Sequence, residues 1–130
     1  MERVTGIGGV FFRSFDPHRI QRWYVEHLGL PDPIDGDPAV VFTWRERDDA
    51  RRVGSTIWSP FPAETDYFGP RGKAWMLNFR VRDLDAMLAQ LRAAGVEVED
   101  RIEELPEGRF GWFVDPDGNR VELWQPPEGH

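Results

Sequence analysis

Cysteine is absent from the 130 residues of the chain. Its absence excludes disulfide bonds, thiolate metal sites and cysteine nucleophiles. No apolar run approaches the roughly 20 residues that a membrane-spanning helix needs. The first residues, MERVTGIGG, also lack the apolar core of a secretory signal. We therefore expect a cytoplasmic protein that has no membrane partner.

Positive charge is scarce as well, since 16 lysines and arginines face 23 acidic residues and the net charge is −7. A surface of that sign repels phosphate backbones, so nucleic acid is not an expected partner either. The hydrophobic content of 40% and the charged content of 30% are typical of a globular protein. The length suits a single domain over residues 1–130.

Aromatic residues are abundant, with six tryptophans and nine phenylalanines. Aromatic side chains at this density usually build a hydrophobic core. If several of them share one face of a sheet, they line a pocket suited to a flat or apolar ligand instead. The sequence leaves both readings open.

The first half of the chain predicts a strand, a helix and two further strands. The strand VTGIGGVFFRSF ends at Asp16-Pro17, a pair typical of a helix start. Apolar residues at helical spacing follow, and Gly29 ends the helix. Residues 31–38 contain three prolines and predict a loop, after which AVVFTWRE and VGSTIWSP read as strands.

The second half repeats this plan. A shift of 67 positions aligns VFFRSFD with LNFRVRD, and a shift of 66 aligns TIWSP with ELWQP. The helix DLDAMLAQLRAAG and the strands VEVEDRIEEL, GRFGWFV and NRVELWQP complete the second copy. The chain is therefore predicted to hold two βαβββ modules, at about 1–60 and about 75–130, with a connector at 61–74.

One such module has a helix on only one face of its sheet, so a partner must cover the other face. We predict an α+β fold in which the two modules form a half-open mixed β-barrel with the helices outside. The acidic segment DPDGN, residues 115–119, lacks the ligand spacing of an EF-hand and predicts a type I turn instead.

Paired βαβββ modules, each opening with a strand, an aspartate and a helix and closing with DPDGN-hydrophobic-Glu-hydrophobic, resemble the vicinal oxygen chelate superfamily. That superfamily includes glyoxalases, bleomycin-resistance proteins and extradiol dioxygenases. The segments that carry the resemblance are GIGGVFFRSFDPHRIQRWYVEHLGL, LNFRVRDLDAMLAQLRAAGVEV and GRFGWFVDPDGNRVELWQP. They indicate the fold more specifically than the reaction, because one fold hosts many functions.

The resemblance implies metal ligands on the first and last strands of each module, at Gly9, Thr56, Met76 and Glu122. Only Glu122 is a good ligand for a divalent metal, because glycine has no side chain and a thioether suits soft Cu(I). The three histidines form no His-x-x-x-His pair. We therefore predict no metal and no cofactor, with a divalent metal as the less favoured alternative.

Strand alternation independently predicts which side chains face the cavity. The candidate ligand-binding residues are Phe11, Arg13, Trp58, Asn78, Arg80, Trp112 and Trp124. Glu122 faces the same cavity, where desolvation would raise its pKa and suit it to act as a catalytic general base. The alternative is a buried ion pair between Glu122 and Arg80 or Arg13. Tyr67, in the connector, either closes over the cavity or packs as a surface aromatic residue.

Three functions remain open at this stage. The favoured one is binding of a small aromatic or apolar molecule in a tryptophan-lined cavity. The second is a metal-dependent lyase, isomerase or dioxygenase that uses Glu122. The third is a cavity filled by the protein's own side chains, with dimer formation as the product of the fold. The expected partners are a small-molecule ligand and a second copy in a homodimer.

Overall fold

The computed structural model describes residues 1–70 and 72–130. Within these residues it contains two helices and eight strands. In chain order they are β1 (Val4–Ser14), α1 (Pro17–Leu28), β2 (Val40–Arg45), β3 (Val53–Pro62), β4 (Trp75–Val81), α2 (Leu84–Ala93), β5 (Glu97–Val98), β6 (Glu103–Leu105), β7 (Gly108–Val114) and β8 (Arg120–Gln125). No helix in the described ranges is long and apolar enough to cross a membrane.

All the strands belong to one open mixed sheet in the order β2-β3-β1-β4-β8-β7-β5, with β6 also paired to β7. The two modules meet at the centre, where β1 and β4 pair in antiparallel fashion with Val10 opposite Leu77. Within each module the first and last strands are parallel, β1 with β3 and β4 with β8. The predicted α+β fold, with an unclosed sheet and the helices outside, is confirmed.

Both helices begin at the aspartates that the repeat predicts. The side chain of Asp16 accepts a hydrogen bond from the main-chain N–H of Arg19 at 3.1 Å. The side chain of Asp83 accepts one from the N–H of Ala86 at 3.0 Å. A short acceptor at this position satisfies an amide that would otherwise lack a partner in the first turn.

The two helices differ in how much they bury. Helix α2 places Leu84, Met87 and Leu88 in a buried cluster with Val81 of β4 and Leu123 of β8. Helix α1 buries none of its residues fully. The tightly packed core on the helix side of the sheet therefore lies in the second module.

The other face of the sheet, which we call the inner face, carries a second buried cluster. It consists of Phe11, Met76 and Trp112 from the sheet together with Phe68 from the connector. The connector is fastened by Arg13, which donates to the main-chain oxygens of Ala63, Thr65 and Lys73 at 2.8, 2.6 and 2.7 Å. Residues of the connector therefore fill part of the predicted cavity.

The strand register corrects one part of the repeat alignment. Phe11 of β1 lies opposite Ser59, and Asn78 of β4 lies opposite Glu122. Because Phe11 and Asn78 are repeat mates, the structural counterpart of Glu122 is Ser59 rather than Thr56. The match between TIWSP and ELWQP is therefore three residues out of register.

Trp58 is affected by the same error. Its ring packs against Phe12 at 5.1 Å and against Tyr24 of α1 at 5.0 Å between centroids, so it faces the helix. The expectation that Trp58 lines the cavity is wrong. Phe61 lies opposite Arg13, just as Trp124 lies opposite Arg80 in the second module. Phe61 is therefore the residue of β3 that corresponds to Trp124, and it packs on the inner-face cluster.

Two smaller details differ from or refine the predictions. VEVEDRIEEL forms two short strands, β5 and β6, rather than one. The turn at 115–118 is closed by a hydrogen bond from the N–H of Gly118 to the carbonyl oxygen of Asp115 at 3.0 Å. The Asp115 carboxylate also accepts from the main-chain N–H groups of Asp117 and Asn119, both at 2.9 Å. These bonds commit the carboxylate to shaping the hairpin.

The unequal burial of the helices gives a matched pair of substitutions. Leu88→Ala removes a side chain that is 1% exposed, and we expect a loss of about 2–5 kcal/mol in the free energy of unfolding. Leu28→Ala, at a position 63% exposed at the end of α1, is expected to change it by about 0.5 kcal/mol or less. Urea denaturation of both variants measures the difference, and equal losses would contradict the asymmetry.

Candidate functional site

Glu122 is the centre of the candidate site. It lies on β8 with 2% of its surface exposed, and its carboxylate accepts three hydrogen bonds. The donors are the Tyr67 hydroxyl, the Asn78 side-chain amide at 2.6 Å and the Trp112 indole N–H at 3.0 Å. Every donor is a neutral group, so the carboxylate is solvated by the protein without being neutralised.

The sheet explains how two of these donors reach the carboxylate. Asn78 of β4 and Trp112 of β7 lie directly opposite Glu122 on its two neighbouring strands. Directly opposed residues point to the same face with their Cβ atoms about 5 Å apart. Asn78, Glu122 and Trp112 therefore form one cross-strand row on the inner face. Alternation along the strands had placed Asn78 and Glu122 there, and Trp112 was a candidate wall residue whose register the repeat did not fix.

Tyr67 comes from the connector, and the sequence left its position open. Its ring stacks on Phe61, with centroids 5.7 Å apart and an angle of 12° between the planes. It also meets the Trp112 ring edge-on at 6.4 Å. Tyr67 therefore closes over the carboxylate, and Phe68 beside it is almost completely buried.

Burial is the main influence on the pKa values of Glu122 and Tyr67. Loss of solvent raises the pKa of Glu122 above its ordinary value, against the opposing effect of the hydrogen bonds from Tyr67, Asn78 and Trp112. Burial and the neighbouring negative charge of Glu122 raise the pKa of Tyr67 as well. Tyr67 therefore stays protonated and keeps donating at neutral pH.

Arg120 contributes positive charge close to this site. Its guanidinium lies 4.8 Å from the centroid of Trp112 and 5.4 Å from that of Tyr67. It donates to the Glu99 carboxylate at 2.7 and 2.8 Å and to the main-chain oxygen of Tyr67 at 2.7 Å. Arg120 thus attracts Glu122 through space while it is directly paired with another acid.

The alternative of a buried ion pair is wrong for residues 1–70 and 72–130, in which no arginine lies within salt-bridge distance of Glu122. Arg13 donates to three carbonyl oxygens of the connector, and its guanidinium lies 5.3 Å from the Phe68 ring centroid. It therefore holds the connector through Nε and Nη1. Arg80 points into a different cluster.

That second cluster surrounds the Arg80 guanidinium with aromatic rings. The centroids of Trp44 and Trp124 lie 5.4 and 5.2 Å from it. Trp124 stacks on Phe110 at 6.2 Å and donates from its indole to the main-chain oxygen of Glu107 at 2.8 Å. Of the predicted ligand-binding residues, Phe11, Asn78 and Trp112 belong to the Glu122 side, whereas Arg80 and Trp124 form this separate cluster.

Sequence reasoning did not assign Phe61 or Phe68 to the inner face. Phe61 becomes visible once the strand register is known. Phe68 lies in a segment rich in proline and glycine, which has no periodicity from which a facing could be read. A usable signal is the pair Tyr67-Phe68 itself, because two adjacent aromatic residues are unusual in an otherwise polar loop.

The residues around Glu122 do not fit a divalent metal. Tyr67, Asn78 and Trp112 all direct hydrogens at the carboxylate, whereas a metal needs lone pairs, which an indole N–H lacks. Met76 is fully buried in the apolar cluster, and a Cβ at Gly9 would lie 2.5 Å from the Phe11 ring. Among the residues that the structure describes, no three His, Cys, Asp or Glu side chains group as a metal site.

The hydroxyl of Thr56 is also committed elsewhere. It accepts from the Trp44 indole at 2.9 Å and donates to the main-chain oxygen of Ile7. The three positions other than Glu122 therefore serve packing and local hydrogen bonds. The absence of a metal from the protein in solution stays a prediction.

The structure therefore consists of two paired βαβββ modules, with the buried carboxylate of Glu122 near the centre of their common sheet. A family model described as Glyoxalase/Bleomycin resistance protein/Dioxygenase superfamily matches residues 6–123. The chain belongs to this superfamily, and the resemblance read from its repeats is confirmed.

One relative among curated proteins is the uncharacterised protein YaeR of Escherichia coli strain K12. It is 36% identical over 67 residues, which are 51% of this chain and 52% of that protein. The chain therefore matches about half the length of this relative.

Solved structures share the fold at low identity. A methylmalonyl-CoA epimerase from Streptomyces coelicolor, in complex with 2-nitronate-propionyl-CoA, has a TM-score of 0.69 and 17% identity, covering 98% of this chain and 99% of that one. The Mycobacterium tuberculosis epimerase gives 0.60 and 24%, covering 95% and 89%. A superfamily member from Vibrio splendidus 12B01 gives 0.52 and 18%, covering 95% and 97%. At these identities the likeness shows the fold alone.

The raised pKa of Glu122 predicts a specific pH dependence. The folded protein binds this proton more readily than the unfolded chain does, so stability falls as the pH rises from the ordinary pKa of 4.5 through the raised one. Glu122→Gln cannot titrate, so the stability of this variant relative to the wild type should rise over that interval. Urea denaturation between about pH 4.5 and 8 measures the difference.

Glu99→Gln is the matched control, because Arg120 lowers the pKa of Glu99. The stability that Glu99 contributes is present above its unfolded pKa and is lost as the pH falls through the lower folded pKa. Between about pH 4.5 and 8 the difference in stability between the wild type and this variant should therefore stay nearly constant, and it should shrink only below pH 4.5. Parallel curves for wild type and Glu122→Gln would show that the buried acid does not titrate abnormally.

Proposed function

We propose that the protein binds a small aromatic molecule on its inner face, with Glu122 as the hydrogen-bond acceptor. The observation that carries this proposal is the placement of Tyr67. An aromatic ring bearing one O–H group already lies against Phe61 and donates to the carboxylate. A ligand of the same shape and chemistry would make the same contacts once Tyr67 has moved away.

The buried carboxylate restricts which ligands fit. The loss of one of its three donors costs the buried carboxylate free energy, so the ligand must replace the hydrogen bond that Tyr67 gives up. An anionic group at this point would be repelled by Glu122. The expected ligand is therefore a flat, neutral or cationic molecule with an O–H or N–H group at its edge, such as a phenol or an indole.

Entry requires the connector to move. Tyr67 and Phe68 lie over the site, and the segment is tied to the sheet by Arg13 at its two ends and by Arg120 at Tyr67. The ties at the ends are to main-chain oxygens of Ala63, Thr65 and Lys73. They leave the intervening side chains free to exchange places with a ligand while the ends stay fixed. Binding of this kind suits sequestration or sensing.

The solved relatives support a small-molecule role without defining the ligand. The epimerase from Streptomyces coelicolor holds 2-nitronate-propionyl-CoA on the same fold. The expectations of a homodimer and of a cytoplasmic location remain part of this proposal. Catalysis by Glu122 is not needed for it, although a carboxyl with a raised pKa is suited to proton transfer.

Removal of the Tyr67 side chain tests the proposal by chemical rescue. Tyr67→Ala leaves a ring-sized space next to Glu122, and we expect p-cresol, the tyrosine side chain as a free molecule, to bind there saturably. Binding should raise the melting temperature and change the fluorescence of Trp112. Adding Glu122→Gln to this variant should weaken the p-cresol affinity by about tenfold, the effect of one hydrogen bond to a charged group.

Tyr24→Ala is the matched control, because Tyr24 is the other tyrosine of the chain and packs against Trp58 on the helix side. This variant also loses a ring, but it has no buried carboxylate beside the gap. We expect little stabilisation by p-cresol. Equal rescue of both variants, or none in Tyr67→Ala, would contradict a specific aromatic site at Glu122.

Metal analysis separates this proposal from the metal-dependent lyase, isomerase or dioxygenase. Protein purified without a chelator is expected to carry far less than one divalent metal ion per chain, because Glu122 is the one good ligand among the four family positions. A stoichiometric metal that disappears in Glu122→Gln would favour the metal-dependent enzyme.

A further inference from the structure

We propose that a cleft around Arg80 binds the oxyanion group of a small molecule, a carboxylate or a phosphate, in place of residues 128–130. The Arg80 cleft has a volume of about 600 Å³. Its walls include Arg52, Arg80, Arg82, Glu46, Glu128 and His130. This site is separate from the Glu122 site and does not depend on the aromatic ligand proposed for it.

The first observation is a buried charge that pairs directly with no Asp or Glu side chain among the described residues. Arg80 is 4% exposed, and in the described part of the chain no carboxylate side chain lies within salt-bridge distance of it. One Nη donates to the main-chain oxygen of His130 and the other to the Ser55 hydroxyl at 3.4 Å, while Nε has no partner. A buried donor without an acceptor costs free energy, and an anion that accepts from Nε would lower that cost.

The second observation is the orientation of the group. The rings of Trp44 and Trp124 pack against the guanidinium of Arg80. Their centroids lie 5.4 and 5.2 Å from its central carbon. Such contacts hold a cation in place without neutralising it. The apolar surfaces of the two tryptophan rings also exclude water, which strengthens any electrostatic interaction that the guanidinium makes. The arginine is therefore already positioned for an anion.

The third observation is the local charge. Four arginines and two glutamates line the cleft, although the whole chain has a net charge of −7. Glu46 pairs with Arg82, and the other glutamate, Glu128, belongs to the segment that the ligand would displace. With residues 128–130 moved away, the walls hold four arginines and one glutamate. A small anion would be attracted to this part of the surface.

The occupied position shows where an oxyanion oxygen would lie. The His130 main-chain oxygen accepts from Nη2 of Arg80, and the segment turns back on itself through a bond from the His130 N–H to the Pro127 oxygen at 3.2 Å. A carboxylate or phosphate presents two oxygens that a guanidinium binds in parallel. It would therefore accept from the guanidinium through two oxygens, where the His130 main chain supplies one.

Inorganic phosphate and acetate are the probes, titrated into the full chain at constant ionic strength with sodium chloride as the balancing salt. We expect saturable binding, followed by tryptophan fluorescence and by calorimetry, since Trp44 and Trp124 contact the arginine. A chain that ends at Pro127 should bind about tenfold more tightly, because the competing segment no longer occupies the site. The preference between the two probes identifies the type of oxyanion.

Three substitutions test whether anion binding depends on Arg80. Arg80→Lys keeps the charge but loses the paired donors, and it should weaken binding by about tenfold in both the full and the shortened chain. Arg51→Gln is the control for general charge, because Arg51 lines the same cleft but its side chain is 92% exposed and pairs with Asp49. It should change the affinity by about twofold or less. Glu122→Gln should leave anion binding unchanged.

Three outcomes would overturn the inference. One is the absence of saturable binding of either probe to both the full and the shortened chain. Another is a shortened chain that binds no more tightly than the full one. The third is an equal loss in Arg51→Gln and Arg80→Lys, which would show general attraction by the arginines. Since p-cresol rescue is measured on a different variant, a failure here is distinguishable from a failure at the Glu122 site.

Discussion

The antiparallel pairing of β1 with β4 joins the two modules into a single sheet, and the inner face exists because of it. The pairing places Phe11 opposite Met76 and Gly9 opposite Asn78 at the middle of the protein. The parallel partners of these two strands then extend the same face on both sides. A helix covers the outer face of each module, whereas the inner face must be filled by something else. The connector, fastened by Arg13, supplies part of that filling.

Two buried charges lie on this inner face, and each is held by neutral groups. Glu122 accepts from a phenol, an amide and an indole, and Arg80 lies between two indole rings. A buried pair of opposite charges would have compensated both at once. Because the two charges are kept apart, each is available for the external group proposed for it: a hydrogen-bond donor at the acid and an oxyanion at the arginine.

Period-two alternation along each strand predicted that Asn78 and Glu122 share one face. Trp112 was a plausible wall residue, but the repeat did not fix the register that places it opposite Glu122. Trp58 was misplaced because a similar motif, a tryptophan two residues before a proline, recurs at different registers in the two modules. Sequence similarity between the two modules does not determine which residues pair across strands. In addition, the pairing of β1 with β4 carries a register shift between Ile7 and Gly9. The sequence left Tyr67 open between closing over the cavity and packing as a surface residue, since a loop rich in proline and glycine has no periodicity to read. The fold was therefore largely predictable, whereas the closure of the site over Glu122 was not.

The attachment of the connector has a further consequence for how such a site can change over time. Arg13 recognises carbonyl oxygens of Ala63, Thr65 and Lys73, and every residue type offers a carbonyl oxygen. Substitutions between these anchor points can therefore alter the side chains that lie over Glu122 without loosening the loop. One scaffold could acquire a new ligand preference by replacing a few loop residues, while the sheet and its buried acid stay as they are.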